Sequence, residues 1–188
     1  MERGQTVLVL GAAGAVGSVA VQAARVLGAG RVIAAVRERE SAPPGADAVV
    51  TLIPGEDWAT AFREASGGTG AHVIVDPVCG EPALAALGAA ARGARLVQIG
   101  NMAADTLALP ASIIRANKVD ILGHAVFHAS IDVRREAYLR LTEHAARGDI
   151  AVTMETLPLT EVATAWDRQR AGTDAKLVLL PDQDRRRV

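Results

Sequence analysis

The stretch VLVLGAAGAVGSVAVQAARVLGAGRVIAAVRERE, Val7 to Glu40, decides the fold. An apolar run enters a glycine-rich turn. Small residues at helical spacing follow (Val16, Ala20, Ala23, Ala24, Leu27), and a second apolar run, Arg31–Val36, closes the unit. Strand, turn, helix and strand make a βαβ unit, whose two strands lie parallel in one sheet.

The same rhythm extends outward. Thr6–Leu10 reads as the first strand, Val16–Leu27 as the helix, and Asp47–Thr51 as a strand after Arg31–Val36. A helix is predicted over Asp57–Ala65 with Asp57 as its N-cap. Ala71–Asp76 and Ala94–Ile99 read as strands, separated by an alanine-rich helix over Glu81–Ala91 that Gly93 would close. Beyond Gly100 the pattern loosens. Helices are expected at Pro110–Asn117, Ile131–Ala146 and Thr160–Arg170, the last with Thr160 as N-cap, and strands at Val119–Gly123, Val152–Leu157 and Lys176–Leu180. Continuous apolar strands alternating with helices predict a doubly wound, mainly parallel α/β sheet with helices on both faces. Residues 1–181 are read as one domain and 182–188 as a disordered tail. Between Val36 and Asp47, Pro43, Pro44 and Gly45 leave room for one helical turn at most.

Composition narrows the function. Of 188 residues, half are hydrophobic but only 3% aromatic, so the core is built from Ala, Val, Leu and Ile. The formal net charge of -1 and the lack of a basic stripe outside the tail argue against a nucleic-acid partner. The one cysteine, Cys79, rules out a disulfide within the chain and a thiolate zinc centre, and reads as a small buried hydrophobe. No apolar run approaches the roughly 20 residues of a membrane helix, and the first residues carry no signal-peptide pattern, so a cytoplasmic protein is expected.

Gly11, Gly14 and Gly17 fall between a strand and a helix. There the chain must turn sharply, the backbone must approach a phosphate without a Cβ in the way, and the helix must pack close to the sheet. The alternative is a turn that serves packing alone. A P-loop needs Lys before the hydroxyl residue, whereas Gly17 precedes Ser18. The Tyr-x-x-x-Lys pair of short-chain dehydrogenases is absent, because the single tyrosine, Tyr138, is followed four positions on by Thr142. A Rossmann-type dinucleotide site is the reading. An NAD site carries an acid about 20 residues past the turn. Val36 stands nineteen positions past Gly17, with Arg37 next and Arg39 two further. A guanidinium binds a 2′-phosphate that an acid would repel, which selects NADP(H). The alternative leaves Arg37 and Arg39 in a solvated charge run with Glu38 and Glu40.

At this point GQTVLVLGAAGAVGSVAVQAARVLGA, HVIVDPVCG, GARLVQIGN, NKVDILGH and PLTEVATAWDRQRAGTDAKLVLLP resemble the cofactor domain of medium-chain dehydrogenases/reductases, and within them the zinc-independent quinone oxidoreductase branch. The resemblance covers nearly the whole chain. It implies that Gly14, Ala15 and Val16 carry a pyrophosphate and Arg37 a 2′-phosphate. Val78 would border the adenosine and ribose, and Gly100 and Asn101 would lie near the nicotinamide. It also implies an edge strand at Val119–Gly123 that pairs two copies into a homodimer. The family carries a mainly β catalytic domain ahead of this segment. Here the first strand begins within a few residues of Met1, so a catalytic-domain partner is the other expectation, and the last strand, Lys176–Leu180, is expected to lack its mate.

The implied chemistry is hydride transfer from NADPH to a quinone or an α,β-unsaturated carbonyl, a small-molecule substrate. A non-catalytic NADP(H) sensor or partner subunit is the alternative, and a dimerising scaffold a third. No catalytic residue is assigned. His124 and His128 read as loop or surface residues, Tyr138 as packed on its helix, and Asp76 as the organiser of the loop that begins at Pro77. No metal site is expected, since one Cys and scattered His give no three-ligand spacing.

Overall fold

The computed structural model describes residues 1–173 and 175–181. The expected tail, 182–188, lies outside them. Where the sequence reads as one domain over 1–181, the chain forms two compact units, Met1–Ile150 and a second that begins at Ala151.

The first unit contains β1 (Thr6–Val9), α1 (Ala15–Val26), β2 (Arg31–Val36), β3 (Ala48–Thr51), α2 (Trp58–Ala65), β4 (Ala71–Asp76), α3 (Gly80–Gly88), β5 (Ala90–Gln98), α4 (Ala111–Asn117), β6 (Asp120–Gly123) and α5 (Ile131–Ala146). The six strands form one sheet in the order β3-β2-β1-β4-β5-β6, and every pairing is parallel. Alternate residues of β1 and β2 supply two cores, one on each face of the sheet. Leu8, Ile33, Ala35, Ile74 and Leu96 pack with Phe62 of α2 and Ala83, Ala86 and Leu87 of α3. Val7, Val9, Val32, Ala34 and Val36 pack with Val21 and Ala24 of α1 on the opposite face. This is the doubly wound architecture that the sequence predicts. β6 is an edge strand, as expected for Val119–Gly123, and its four residues are exposed.

Local chemistry sets the boundaries. Asp57 caps α2 by accepting from the Thr60 amide at 3.0 Å. The short link after β2 carries one 3-10 turn, Arg39–Ser41, within the limit that its prolines set. The helix expected to run to Ala91 stops at Gly88. Ala90 is drawn into the sheet by pairing with Ala71, at a point where Gly70 lets the backbones meet (a Cβ on Gly70 would lie 2.5 Å from the Ala89 carbonyl oxygen). The register then jumps to Val73 opposite Arg95, so Gly93, at φ +75°, turns the chain inside that bulge instead of closing a helix.

The second unit contains β7 (Met154–Pro158), α6 (Val162–Ala171) and β8 (Lys176–Leu180). β8 pairs in parallel with β7, from Lys176 opposite Met154 to Leu180 opposite Pro158, so the last strand has its mate within the chain. Arg168 of α6 donates two hydrogen bonds to the Glu155 carboxylate of β7, at 2.7 and 2.6 Å. Thr160 is not an N-cap. Leu159–Glu161 wind into a 3-10 turn behind Pro158, and α6 starts after Glu161.

Candidate functional site

Because all six strands run the same way, the segments that follow β1, β2, β4 and β5 leave from one edge of the sheet. The chain reverses its order of progression between β1 and β4, so that edge has a switch point there. Gly14 (N-cap of α1), Ala15 and Val16 follow β1, Arg37 follows β2, Val78 follows β4, and Gly100 and Asn101 follow β5.

Each glycine of the turn after β1 meets a different constraint. Gly11 sits at φ +58°, and a Cβ there would lie 2.9 Å from Val78 Cγ1. Gly17 packs the first turn of α1 onto the loop, where a Cβ would lie 2.3 Å from the Gly11 carbonyl oxygen and 2.7 Å from Ala12 Cα. Gly14 is different. It is exposed, and its nearest would-be neighbour is the Gly11 oxygen at 3.4 Å, an ordinary contact. The fold therefore requires Gly11 and Gly17, but it leaves the surface at Gly14 open. Gly14, Ala15 and Val16 are all exposed, and the first helical amides have no intrahelical acceptor. The first helical bond runs from Ser18 N–H to the Gly14 carbonyl at 2.8 Å. α1 carries no acid in its first turn, so the positive end of its dipole is uncompensated there.

Arg37 is exposed, and among the described residues its guanidinium has no hydrogen-bond or ion-pair partner. Arg39 is partly committed, donating to the Val49 carbonyl at 3.3 Å. The link that bears both is braced from below. Arg25 of α1 donates to the Gly45 carbonyl at 2.9 Å and pairs with Asp47, and Asp47 accepts from the Val32 amide at 2.7 Å. Burial raises the Asp47 carboxyl, but the Val32 amide, the Arg25 contact and the charges of Arg25 and Arg31 outweigh it and hold the group below its ordinary value.

The third and fourth loops are joined. Asp76 is fully buried, and its Oδ1 accepts from the amides of Val78 at 3.0 Å and Cys79 at 2.8 Å. The loop organiser read from the sequence is in place. Burial pushes this carboxyl above its ordinary value, against the lowering effect of the Cys79 and Val78 amides. Ala103 N–H donates to the Val78 carbonyl at 2.8 Å, and Gly100 backs onto Pro77 so closely that a Cβ would lie 2.8 Å from the Pro77 oxygen. Asn101 donates to the Asp105 carboxylate. Cys79 is buried, as expected, although it adopts φ +63°.

The remaining candidates do not join this edge. His124 precedes a 3-10 turn, Val126–His128, so it shares no helix face with His128, whose ring meets Phe127 edge-on at 5.0 Å. Tyr138 stands exposed on α5 instead of packed. Among the described residues no three His, Cys, Asp or Glu side chains gather in a way that could hold a metal, and no helix is long and apolar enough to cross a membrane. Sequence reasoning missed the contacts between loops, Gly11 with Val78 and Gly100 with Pro77. Only the buried acid before a proline signalled them.

A parallel sheet with a glycine turn, exposed first-turn amides and a free cation at its switch edge is the architecture of dinucleotide-binding α/β domains. The family model described as Zinc-binding dehydrogenase matches residues 15–143. The chain belongs to the medium-chain dehydrogenase/reductase superfamily, on its quinone oxidoreductase-like branch. It is 32% identical to the probable NADPH-dependent quinone reductase tdiC of Emericella nidulans, over 95% of this chain and 54% of that protein. The mycobacterial protein Rv1454c, solved in complex with NADPH, superposes with a TM-score of 0.82 at 29% identity, over 96% of this chain and 59% of that one. The quinone oxidoreductase of Pseudomonas syringae gives 0.81 at 26% identity, over 96% and 58%. The chain thus spans about half the length of the relatives it matches.

Proposed function

We propose that this chain holds NADPH for an oxidoreductase that delivers hydride to a quinone or an α,β-unsaturated carbonyl. The observation that carries the reading is the meeting of Gly11 and Val78 at the switch point, beside three exposed first-turn positions and an unpaired Arg37. NADPH supplies the hydride chemistry, and the protein supplies binding and orientation.

In this reading Gly14, Ala15 and Val16 carry the pyrophosphate: the amides of Ala15 and Val16 receive it, and Gly14, whose own N–H donates to the Gly11 carbonyl at 3.1 Å, leaves the approach open, with the helix dipole favouring the charge. Arg37 receives the 2′-phosphate through charge-assisted hydrogen bonds, with Arg39 as a weaker second because Val49 already engages it. Val78 borders the adenosine and its ribose. Gly100 and Asn101 border the nicotinamide, and Met102, 87% exposed beside them, offers an apolar contact to the reducible substrate. The similarity to an NADPH-dependent quinone reductase and to a protein solved with NADPH supports the cofactor and the quinone as substrate. The exposed edge strand β6 supports pairing of two copies through Val119–Gly123, since an unpaired strand edge invites a partner. A catalytic-domain partner covering Met102 is the other arrangement that fits, and a cytoplasmic setting is expected with either.

Titration of the chain with NADPH and NADH tests the cofactor assignment, and turnover of a quinone or enone, alone and with a catalytic-domain partner, tests the activity. Binding of NADPH without turnover under any of these conditions would convert the reading to a non-catalytic NADP(H)-binding module.

A further inference from the structure

The buried carboxyl of Asp76 is half satisfied. Oδ1 accepts two amides, whereas Oδ2, equally buried, has no partner among the described residues. A buried polar atom without a partner is costly, so an apolar residue would serve a purely packing role better. What Oδ1 holds explains the acid. It accepts from the amides on either side of Val78, at the entry to two consecutive left-handed residues, Cys79 at φ +63° and Gly80 at φ +67°. Such a conformation is unfavourable for a residue with a Cβ and persists only where neighbours enforce it. The two residues just before them, Pro77 and Val78, carry the next loop. The Pro77 carbonyl accepts from Met102 N–H at 3.3 Å, and the Val78 carbonyl accepts from Ala103 at 2.8 Å and Ala104 at 3.3 Å. Gly100 and Gly80 complete the joint, since a Cβ on either would lie 2.8 Å from the Pro77 oxygen or 2.9 Å from Ala104 Cβ.

We propose that Asp76 is a positioning residue that couples the loops after β4 and β5, fixing Val78 against Gly11 and, through the Pro77 and Val78 carbonyls, fixing residues 100–104 above the sheet edge. The consequence for the cofactor rests on the function proposed above, while the joint itself is a property of the chain alone. Residues 100–104 never touch Asp76 in this scheme, so their order reports transmission.

Hydrogen exchange of the chain, resolved to the segments 74–80 and 98–105, is the test. In Asp76→Ala, the amides of Val78 and Cys79 and also those of Met102, Ala103 and Ala104 exchange at least tenfold faster, while those of β2 keep their rates. Asp76→Asn, which retains an acceptor oxygen, stays within about threefold of wild type. Gly100→Ala presses on the joint from the far side and speeds Val78 and Cys79, which covers the case in which Asp76→Ala does not fold. Faster exchange confined to Val78 and Cys79, or spread evenly over the whole sheet, would overturn the proposal. The functional arm compares NADPH with adenosine 2′,5′-bisphosphate. Asp76→Ala loses at least tenfold affinity for NADPH and only a few-fold for the bisphosphate, which meets Val78 but not residues 100–104. Equal losses for both would reduce Asp76 to a fold residue. If wild type binds no NADPH, the proposed function fails, and the exchange data still decide the joint.

Discussion

Val78 Cγ1 occupies the space that a Cβ on Gly11 would need, 2.9 Å away, and so the turn after β1 and the loop after β4 close on each other at the switch point. Two separate penalties follow for Gly11→Ala. The residue must hold φ +58°, which costs an L-residue roughly 1–2 kcal/mol, and it must also displace Val78. Adding Val78→Ala to Gly11→Ala should return the steric part and leave the backbone part. Chemical denaturation of the two single variants and the double variant measures this. A double variant no more stable than additivity predicts would show that the two residues do not press on each other.

Gly14 and Gly17 should separate function from fold. Gly17→Ala drives a Cβ to 2.3 Å from a backbone oxygen and 2.7 Å from a backbone Cα, so the helix must move, at a cost of about 1–3 kcal/mol or more. Gly14→Phe meets nothing closer than 3.4 Å at its Cβ and should keep its melting temperature within a few degrees. It should nevertheless lower NADPH affinity at least tenfold by covering the first-turn amides. A Gly14→Phe protein that binds NADPH normally would remove the pyrophosphate from this turn.

Asp47 and Asp76 titrate in opposite senses. Asp47 lies below its ordinary value of 3.8, so its stabilisation is complete above that pH and is lost as pH falls through the lower folded-state value. Asp76 lies above 3.8, so its contribution is greatest below that pH and is lost as pH rises through the higher folded-state value. Urea unfolding between pH 3 and 8 should therefore show the cost of Asp47→Asn shrinking toward acid. The stability of Asp76→Asn relative to wild type should increase as pH rises. The same pH trend in both variants would contradict the assigned environments.

Much of the fold could be read from particular residues. The alternation of Val7, Val9, Val32 and Val36 with Leu8, Leu10 and Ile33 made a strand with two buried faces legible, and Asp57 announced a helix start by its type. The misreadings share a cause. Ala89, Ala90 and Ala91 suit a helix by propensity, but pairing with Ala71 across the gap left by Gly70 overrode it. Thr160 is a good cap by type, yet Pro158 had already set the chain into a 3-10 turn. At the candidate site, Gly14, Ala15, Val16, Arg37, Val78, Gly100 and Asn101 were legible as positions following strands. Their ties were not, because the contact of Gly11 with Val78 and the Asp76 joint link segments some 20 to 70 residues apart and leave no periodic trace.

Arg39 should prove secondary to Arg37. Its guanidinium already serves the Val49 carbonyl, so Arg39→Ala should cost a few-fold in NADPH affinity and Arg37→Ala tenfold or more. The reverse ranking, by calorimetry on the two variants, would mean that Arg39 leaves Val49 to bind the phosphate.

The most direct measurement is a calorimetric titration of the wild-type chain and Arg37→Ala with NADPH and, separately, NADH. The account predicts that wild type binds NADPH at least tenfold more tightly than NADH, and that Arg37→Ala erases the difference by weakening NADPH alone. Equal affinities in wild type, or a preference that survives Arg37→Ala, would contradict it.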